Sequence, residues 1–307
     1  MGPRSYGQTM QAGLAAGMMF GVTGSTDHHS AHPGSYGWGL TGVWAEELTL
    51  DALWEALLAR RTWALSGDRI EVSFAVNGAD MGSEITGGGQ RELSYSIQGE
   101  APLDSLEILK DNSVIHRFCP GMQQPRLAER GRLRVELGWG EKDVQQEWDV
   151  RLSVDGGQLT GIHPKFRGRD TVDPLDRNQG GYRLSEITGR GEDYFVFRTT
   201  TRGNPTSSTA ATQGCGLEII HDGDAVLEVS VNGVERRYPL SELVRGSKSF
   251  HLGGFLSGAV RLSRFLPLEE LTLTGMINDD GPGGTYYLRV RQRNNHWAWS
   301  SPIRYRR

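Results

Sequence analysis

Apolar positions along the chain change period near residue 68, from helical spacing to strict alternation. Before that point, Tyr6–Met18 suits a short helix and Met19–Gly24 a short buried strand leading to Asp27. Gly42–Ala45 reads as another strand. Thr49 is placed to cap a helix over Leu50–Arg61, in which Leu50, Leu53, Trp54, Leu57 and Leu58 recur at helical spacing. Arg60 and Arg61 then fall at the negative end of its dipole. Helix, strand and polar loop in succession predict an α/β piece over residues 1–67.

From Ile70 onward the pattern predicts strands. They fall at Ile70–Val76, Leu93–Gln98, Leu106–Leu109, Val114–Phe118, Arg132–Leu137, Trp148–Val154 and Tyr194–Thr200, then at Leu217–Ile220, Ala225–Asn232, Ala259–Leu262, Leu271–Met276 and Tyr286–Gln292. Asn77-Gly78 and Asn232-Gly233 have the chemistry of two-residue hairpin turns, and each follows a similar apolar run. The expected fold is therefore mainly β, with one or two Ig-like β-sandwich domains after the α/β piece. The expected boundaries are 68–125 plus 280–307 for the first sandwich and 126–279 for a second or inserted β-rich domain. Arg167–Gly181 and Arg202–Gly214 are polar and aperiodic and read as long surface loops.

Forty-two glycines, about twice the usual share, show no collagen period and fit the turns of such a fold. Thirty-three basic against 37 acidic residues give a net charge of −4 with no basic run, which argues against a nucleic-acid partner. No apolar stretch approaches the ~20 residues that a membrane-spanning helix needs, and Ala12–Val22 makes a poor secretory signal, so a chain without a membrane partner, cytoplasmic by default, is expected. Cys119 and Cys215 lack metal-ligand or redox spacing and read as ordinary thiols.

The densest chemistry lies in Gly24–Gly34, where Asp27, His28, His29 and His32 crowd together after an apolar run. In an extended chain, alternate side chains share a face, so Asp27 and His29 project together and offer a carboxylate and an imidazole to a Zn, Mn or Fe ion. The same aspartate could instead orient the imidazole as an acid/base pair, or the histidines could simply brace a glycine-rich loop. Arg61 could reach an anionic substrate, although helix-end solvation also accounts for it. Asp68-Arg69 reads as a structural ion pair where the α/β piece meets the sandwich, with a catalytic part as the alternative. Most tryptophans read as packing, with Trp297 and Trp299 as candidates for stacking on a sugar.

The run Gly24–Gly37, with Arg60–Ile70, Val76-Asn-Gly and Met81-Gly82, resembles the C-terminal part of proteins of the polymerase and histidinol phosphatase (PHP) superfamily, in the branch known as domain of unknown function 3604. Tyr286–Gln292 through Trp297–Pro302 is similar to that branch's closing segment. The resemblance implies that residues 1–67 are a remnant of a PHP-type β/α barrel, with a late Asp-x-His motif at Asp27 and His29 as metal ligands. His28, His32 and Arg61 are then expected behind the ligands or facing substrate. It further implies a divalent metal, a small-molecule, phosphoester-like substrate and attack by metal-activated water. The early barrel strands, with their own ligands, would precede residue 1. The expectation is thus the C-terminal portion of a hydrolase, incomplete and inactive alone, with a non-catalytic β-sandwich binding module, carbohydrate-binding for example, as the alternative.

Overall fold

In the computed structural model, residues 5–26, 39–121, 123–168, 185–203 and 212–306 are described. The chain opens with helix α1 (Met10–Ala15), strand β1 (Leu40–Val43), helix α2 (Leu50–Leu58) and strands β2 (Thr62–Leu65), β3 (Glu71–Val76), β4 (Ala79–Asp80), β5 (Glu84–Thr86), β6 (Arg91–Gln98), β7 (Leu103–Lys110) and β8 (Ser113–Phe118). It continues through β9 (Arg130–Trp139), β10 (Gln145–Pro164), β11 (Glu186–Arg190), β12 (Tyr194–Arg202), β13 (Thr212–Val231), β14 (Val234–Pro239), helix α3 (Leu240–Leu243), β15 (Lys248–His251), β16 (Gly258–Leu262) and β17 (Leu266–Pro267). It ends with β18 (Thr272–Asp279), β19 (Gly284–Gln292), β20 (Trp297–Ser300) and β21 (Ile303–Arg306). The protein is mainly β, with several antiparallel sheets. Among the described residues, no helix is long and apolar enough to cross a membrane.

Two units form. The first gathers the described residues before Asp27, those from Gly39 to 121, and those from Glu269 on; the second is Gln123–Leu268. In the first unit, an eight-stranded sheet runs β1-β2-β20-β19-β21-β5, with β7 on the other side of β19 and β8 beyond it. A four-stranded sheet, β18-β6-β3-β4, supplies the opposing layer. Alternation explains the sandwich. Val72, Phe74 and Val76 of β3 and Leu93, Tyr95 and Ile97 of β6 face Leu106, Ile108, Leu288, Val290 and Ala298 in one buried core. Strand β19 is buried on both faces, because Tyr287 points away from that core and packs with Leu109 against Leu14 of α1.

The second unit is built on one nine-stranded sheet in which the 20-residue strands β10 and β13 pair along most of their length. Register shifts between Asp155 and Gly157 and between Leu159 and Gly161 interrupt that pairing, with Gly156 at φ +77°. Such bulges sharpen the local bend. Beyond them the sheet's two halves share one core, with Leu133, Val135 and Leu137 in contact with a cluster that includes Trp148, Val150, Leu152, Phe195, Phe197 and Leu227. Trp148 keeps its indole N–H satisfied by Thr201 Oγ1 at 2.8 Å.

The two Asn-Gly pairs turn hairpins in the same way, one in each unit. Asn77 and Gly78 have φ of 49° and 76°, Asn232 and Gly233 of 50° and 80°, the left-handed values that this turn demands. Each asparagine also braces a neighbouring strand: Asn77 Oδ1 accepts from Glu92 N, and Asn232 Oδ1 from Asp149 N.

Elsewhere the chain departs from the sequence pattern. Met19–Gly24 is not a strand; its backbone is met by side chains, Val22 N donating to Ser301 Oγ at 2.8 Å. Helix α2 ends at Leu58, three residues earlier than the pattern suggests, and its apolar stripe faces outward: Leu50, Trp54 and Leu58 are 81%, 61% and 63% exposed. The inward face is Ala52, Leu53 and Ala56. Strand β2, fully buried, escaped the alternation rule because it is apolar on both sides.

One polar knot ties the two sheets of the first unit together. Asp279 of β18 accepts from Arg91 of β6 at 3.1 Å, from Lys110 at the end of β7 at 2.7 Å, and from the Tyr286 hydroxyl of β19. Burial alone would raise the Asp279 pKa, but these donors outweigh it and hold the carboxyl well below the usual carboxylate range. Arg91 is fully buried, so truncating Asp279 would strand a charge. Asp279→Ala is expected to destabilise the first unit by about 3–5 kcal/mol, read as a fall in urea midpoint with an unchanged m-value.

Candidate functional site

Asp27, His28, His29 and His32 lie outside the described residues, so what the structure shows is the frame from which their segment leaves and returns. That frame is a narrow neck. Gly24 N donates to Thr41 Oγ1 at 3.1 Å, and the same hydroxyl donates back to Gly24 O at 2.9 Å. A side chain at Gly24 would stand 2.2 Å from Leu40 O, and one at Gly39 only 1.9 Å from Ser25 O. Glycine is required at both positions because backbone presses on backbone. The neck therefore brings Gly24 and Ser25 together with residues 39–41 at one end of the β1–β2 pair, where Leu40 is opposite Leu65.

A polar cluster that the sequence did not single out follows directly from Leu65. Asp68, almost fully buried, accepts from Gln292 Nε2 at 2.8 Å and Asn294 Nδ2 at 2.7 Å. His296 stands 3.9 Å from Asp68 with its Nδ1 2.6 Å from Ser66 O. Asp68 is committed to these partners in the turn after β2. Its place next to Arg69 in sequence hid them, because Gln292, Asn294 and His296 come from the other end of the chain.

Arg61 lies at the opposite end of β1–β2 from the neck. Trp44 N donates to Arg61 O at 2.9 Å, just past the Val43–Thr62 pair. The guanidinium reaches the exposed Glu55 at 3.7 Å, and its Nε is buried without a hydrogen-bond partner among the described residues. The structure thus does not bring Arg61 to the neck of the histidine-bearing segment.

Trp297 and Trp299 project from the same face of β20 and stack nearly parallel, with centroids 5.7 Å apart and planes at 9°. Arg291 already covers the Trp297 ring, 5.4 Å from its centroid. In the second unit, Arg132, His163 and Glu218 form a cross-strand cluster, Glu218 accepting from Arg132 and lying 3.1 Å from His163 Nε2. The His163 hydrogen bond, against burial and with help from Arg132, holds the Glu218 pKa at about 2. Cys119 and Cys215 are both free thiols, and burial pushes the Cys215 thiol up, out of the reactive range. Among the described residues, no group of three or more His, Cys, Asp or Glu side chains is arranged to hold a metal.

A family described as "Protein of unknown function (DUF3604)" matches residues 35–86, the stretch from just before the neck through β5. Uncharacterised proteins of Chlamydia pneumoniae and Chlamydia muridarum are similar to the chain, at 33% and 31% identity over 126 residues, covering 36% of this chain and 20% of each relative. One of Chlamydia trachomatis serovar D is 35% identical over 91 residues, or 28% of this chain and 15% of its own length. The chain therefore spans about a fifth or less of the length of these relatives. The major pilin subunit of Bacillus cereus gives a TM-score of 0.16 at 7% identity, covering 76% of this chain and 63% of its own, a likeness too slight to carry an argument.

Two outcomes follow from this geometry. Gly39→Ala is expected to force the neck apart, lowering stability by about 1–3 kcal/mol, as overpacking does, with loss of hydrogen-exchange protection at the Gly24 amide. Because the folded-state pKa of Glu218 is depressed from 4.5 to about 2, its contribution is fully present above the unfolded value and is lost as pH falls toward 2. The stability of the second unit should decline across that window in acid titration followed by circular dichroism, and Glu218→Gln should flatten the decline.

Proposed function

We propose that this chain is the β-sandwich portion of a longer metal-dependent hydrolase of PHP type, to which it contributes Asp27 and His29 as metal ligands. The observation that carries this reading is the glycine-pinched neck at Gly24 and Gly39, which brings the described flanks of the Asp-x-His-bearing segment together at the β1–β2 edge, in and beside the stretch that matches the family. A rigid neck limits the entropy lost when ligands on the segment are ordered around an ion. The outward apolar stripe of α2, in a chain that spans a fifth of its relatives, fits a portion that packs against further protein.

The donors suit the group. A carboxylate and a neutral imidazole match Zn, Mn or Fe, but two donors are only half of a shell, and Asp68 is engaged elsewhere. The remaining ligands must come from outside the described residues. A bound divalent ion supplies water of lowered pKa for attack on a phosphoester-like small molecule. His28 and His32 belong behind or beside the ligands. The net charge of −4 disfavours nucleic acid as the substrate. A carbohydrate-stacking module, the second reading, draws on the parallel pair Trp297 and Trp299, but Arg291 already occupies the Trp297 ring.

Equilibrium dialysis against Zn2+ and Mn2+, followed by elemental analysis, tests the assignment. The chain should take up metal and Asp27→Ala/His29→Ala should not, with both equally folded and neither hydrolysing p-nitrophenyl phosphate. Equal metal in both proteins overturns the ligand assignment; brisk metal-dependent turnover by the chain alone overturns its incompleteness.

A further inference from the structure

A groove of about 310 Å3 opens in the first unit at the end of β1–β2 away from the neck. It is lined by Trp44, Arg61, Ser73, Phe74, Asp80 and Met81. Every one of these residues falls within the stretch matched by the family. Its volume is at the small end of the range for ligand pockets.

The walls differ in chemistry. Trp44 is fixed in place: its indole N–H donates to Val72 O at 2.7 Å, and its ring tilts against Trp63 with centroids 5.3 Å apart. An aromatic surface that is about two-fifths exposed yet locked in this way is a preorganised platform for a flat apolar group. Phe74 and Met81, both buried, close the floor. Arg61 supplies the charge. Among the described residues its one ionic contact is the 3.7 Å approach to the exposed Glu55, which water screens, and its Nε is shielded from water without a hydrogen bond.

The backbone delivers this arginine at a cost. Helix α2 ends with Arg61 N bonding to Ala56 O and Arg60 N to Leu57 O, the paired bonds of a Schellman cap. That cap puts its C′ residue in the left-handed region, and here the residue is Arg60, at φ +62°, where glycine is usual. Arg60 Nε is anchored to Gly82 O at 2.9 Å. Strain retained at a non-glycine position next to a charged groove is the pattern found at ligand sites.

We propose that this groove is a binding site for a small monoanionic carboxylate with a flat apolar body. The carboxylate pairs with the Arg61 guanidinium, whose fork suits two oxygens, and the body lies on Trp44 over Phe74 and Met81. Asp80, also in the lining, offsets the arginine charge and disfavours a dianionic phosphate. The groove uses none of the proposed metal ligands and lies at the end of the strand pair away from the neck.

The test is a titration of the full chain with benzoate, phenyl phosphate and benzamidine, followed by the indole signals in 15N-resolved NMR. The Trp44 signal is identified by its loss in Trp44→Phe. Benzoate should shift that signal saturably with an affinity near 1 mM, as expected of so small a ligand. Arg61→Gln should weaken binding at least tenfold at an unchanged melting temperature, Arg61→Lys less so. Asp80→Asn, a surface change, should improve phenyl phosphate binding severalfold. No shift at Trp44 up to about 20 mM benzoate, equal binding by Arg61→Gln, or a preference for benzamidine each overturns the proposal.

Discussion

The pairing of β2 with β20 is the contact on which the first unit depends. Trp63, Ala64 and Leu65 lie opposite Ser300, Trp299 and Ala298, so a segment near the start of the chain is held by one near its end. Ser301 extends the junction, its N donating to Thr62 O while its Oγ meets Val22 N and the Thr62 hydroxyl. Closing so long a loop costs only logarithmically more than closing a short one, and the burial of Trp63, Ala64, Leu65 and Ala298 offsets it. Strand β1 has β2 as its partner in the sheet, and the neck at Gly24 and Gly39 rests on β1 and on Leu65. Without the C-terminal strands, β2, against which both the neck and the helix leading to the groove are set, would lose its partner on the side away from β1.

That short strand pair also separates the neck from the groove. Four residue pairs, from Leu40–Leu65 to Val43–Thr62, put the first and last about 10 Å apart at the usual strand rise. The histidine-bearing segment leaves at one end, and Trp44 and Arg61 stand at the other. Anything that displaces β2 moves both the neck and the groove.

Much of the fold was legible because it rests on local rules. Thr49 accepts from Ala52 N as an N-cap should, and both Asn-Gly turns take the left-handed angles that their chemistry predicts. What was not legible depends on distant partners. Strands β10 and β13 run to 20 residues because glycine-rich bulges let them bend without breaking, whereas alternation marks only their straight parts. Met19–Gly24 has the composition of a strand, but its backbone is satisfied by the side chains of Ser301 and Thr41. Of the site, the residue types in the histidine-rich segment were plain, while the buried setting of Asp68 and the groove under Trp44 were not. Each needs residues whose proximity no local spacing encodes, such as Gln292 beside Asp68 or Met81 beside Trp44.

Helix α2 shows how a local rule and a tertiary constraint divide control. Its spacing specifies one apolar stripe, and a nine-residue helix is too short to persist in water on propensity alone. Packing should then turn Leu50, Trp54, Leu57 and Leu58 inward, yet all four are exposed. The rotation is fixed from the C-terminal end. Arg61 must enter β2 with its carbonyl on Trp44 N, and Arg60 must reach Gly82, where a close-packed glycine at φ +92° leaves no room for another approach. Rolling the helix to bury its stripe would break the Schellman bonds and withdraw Arg61 from the groove. The small face of Ala52 and Ala56 therefore packs inward and the large face stays open, an arrangement that is stable in this unit because the cap, rather than the stripe, sets the helix's orientation.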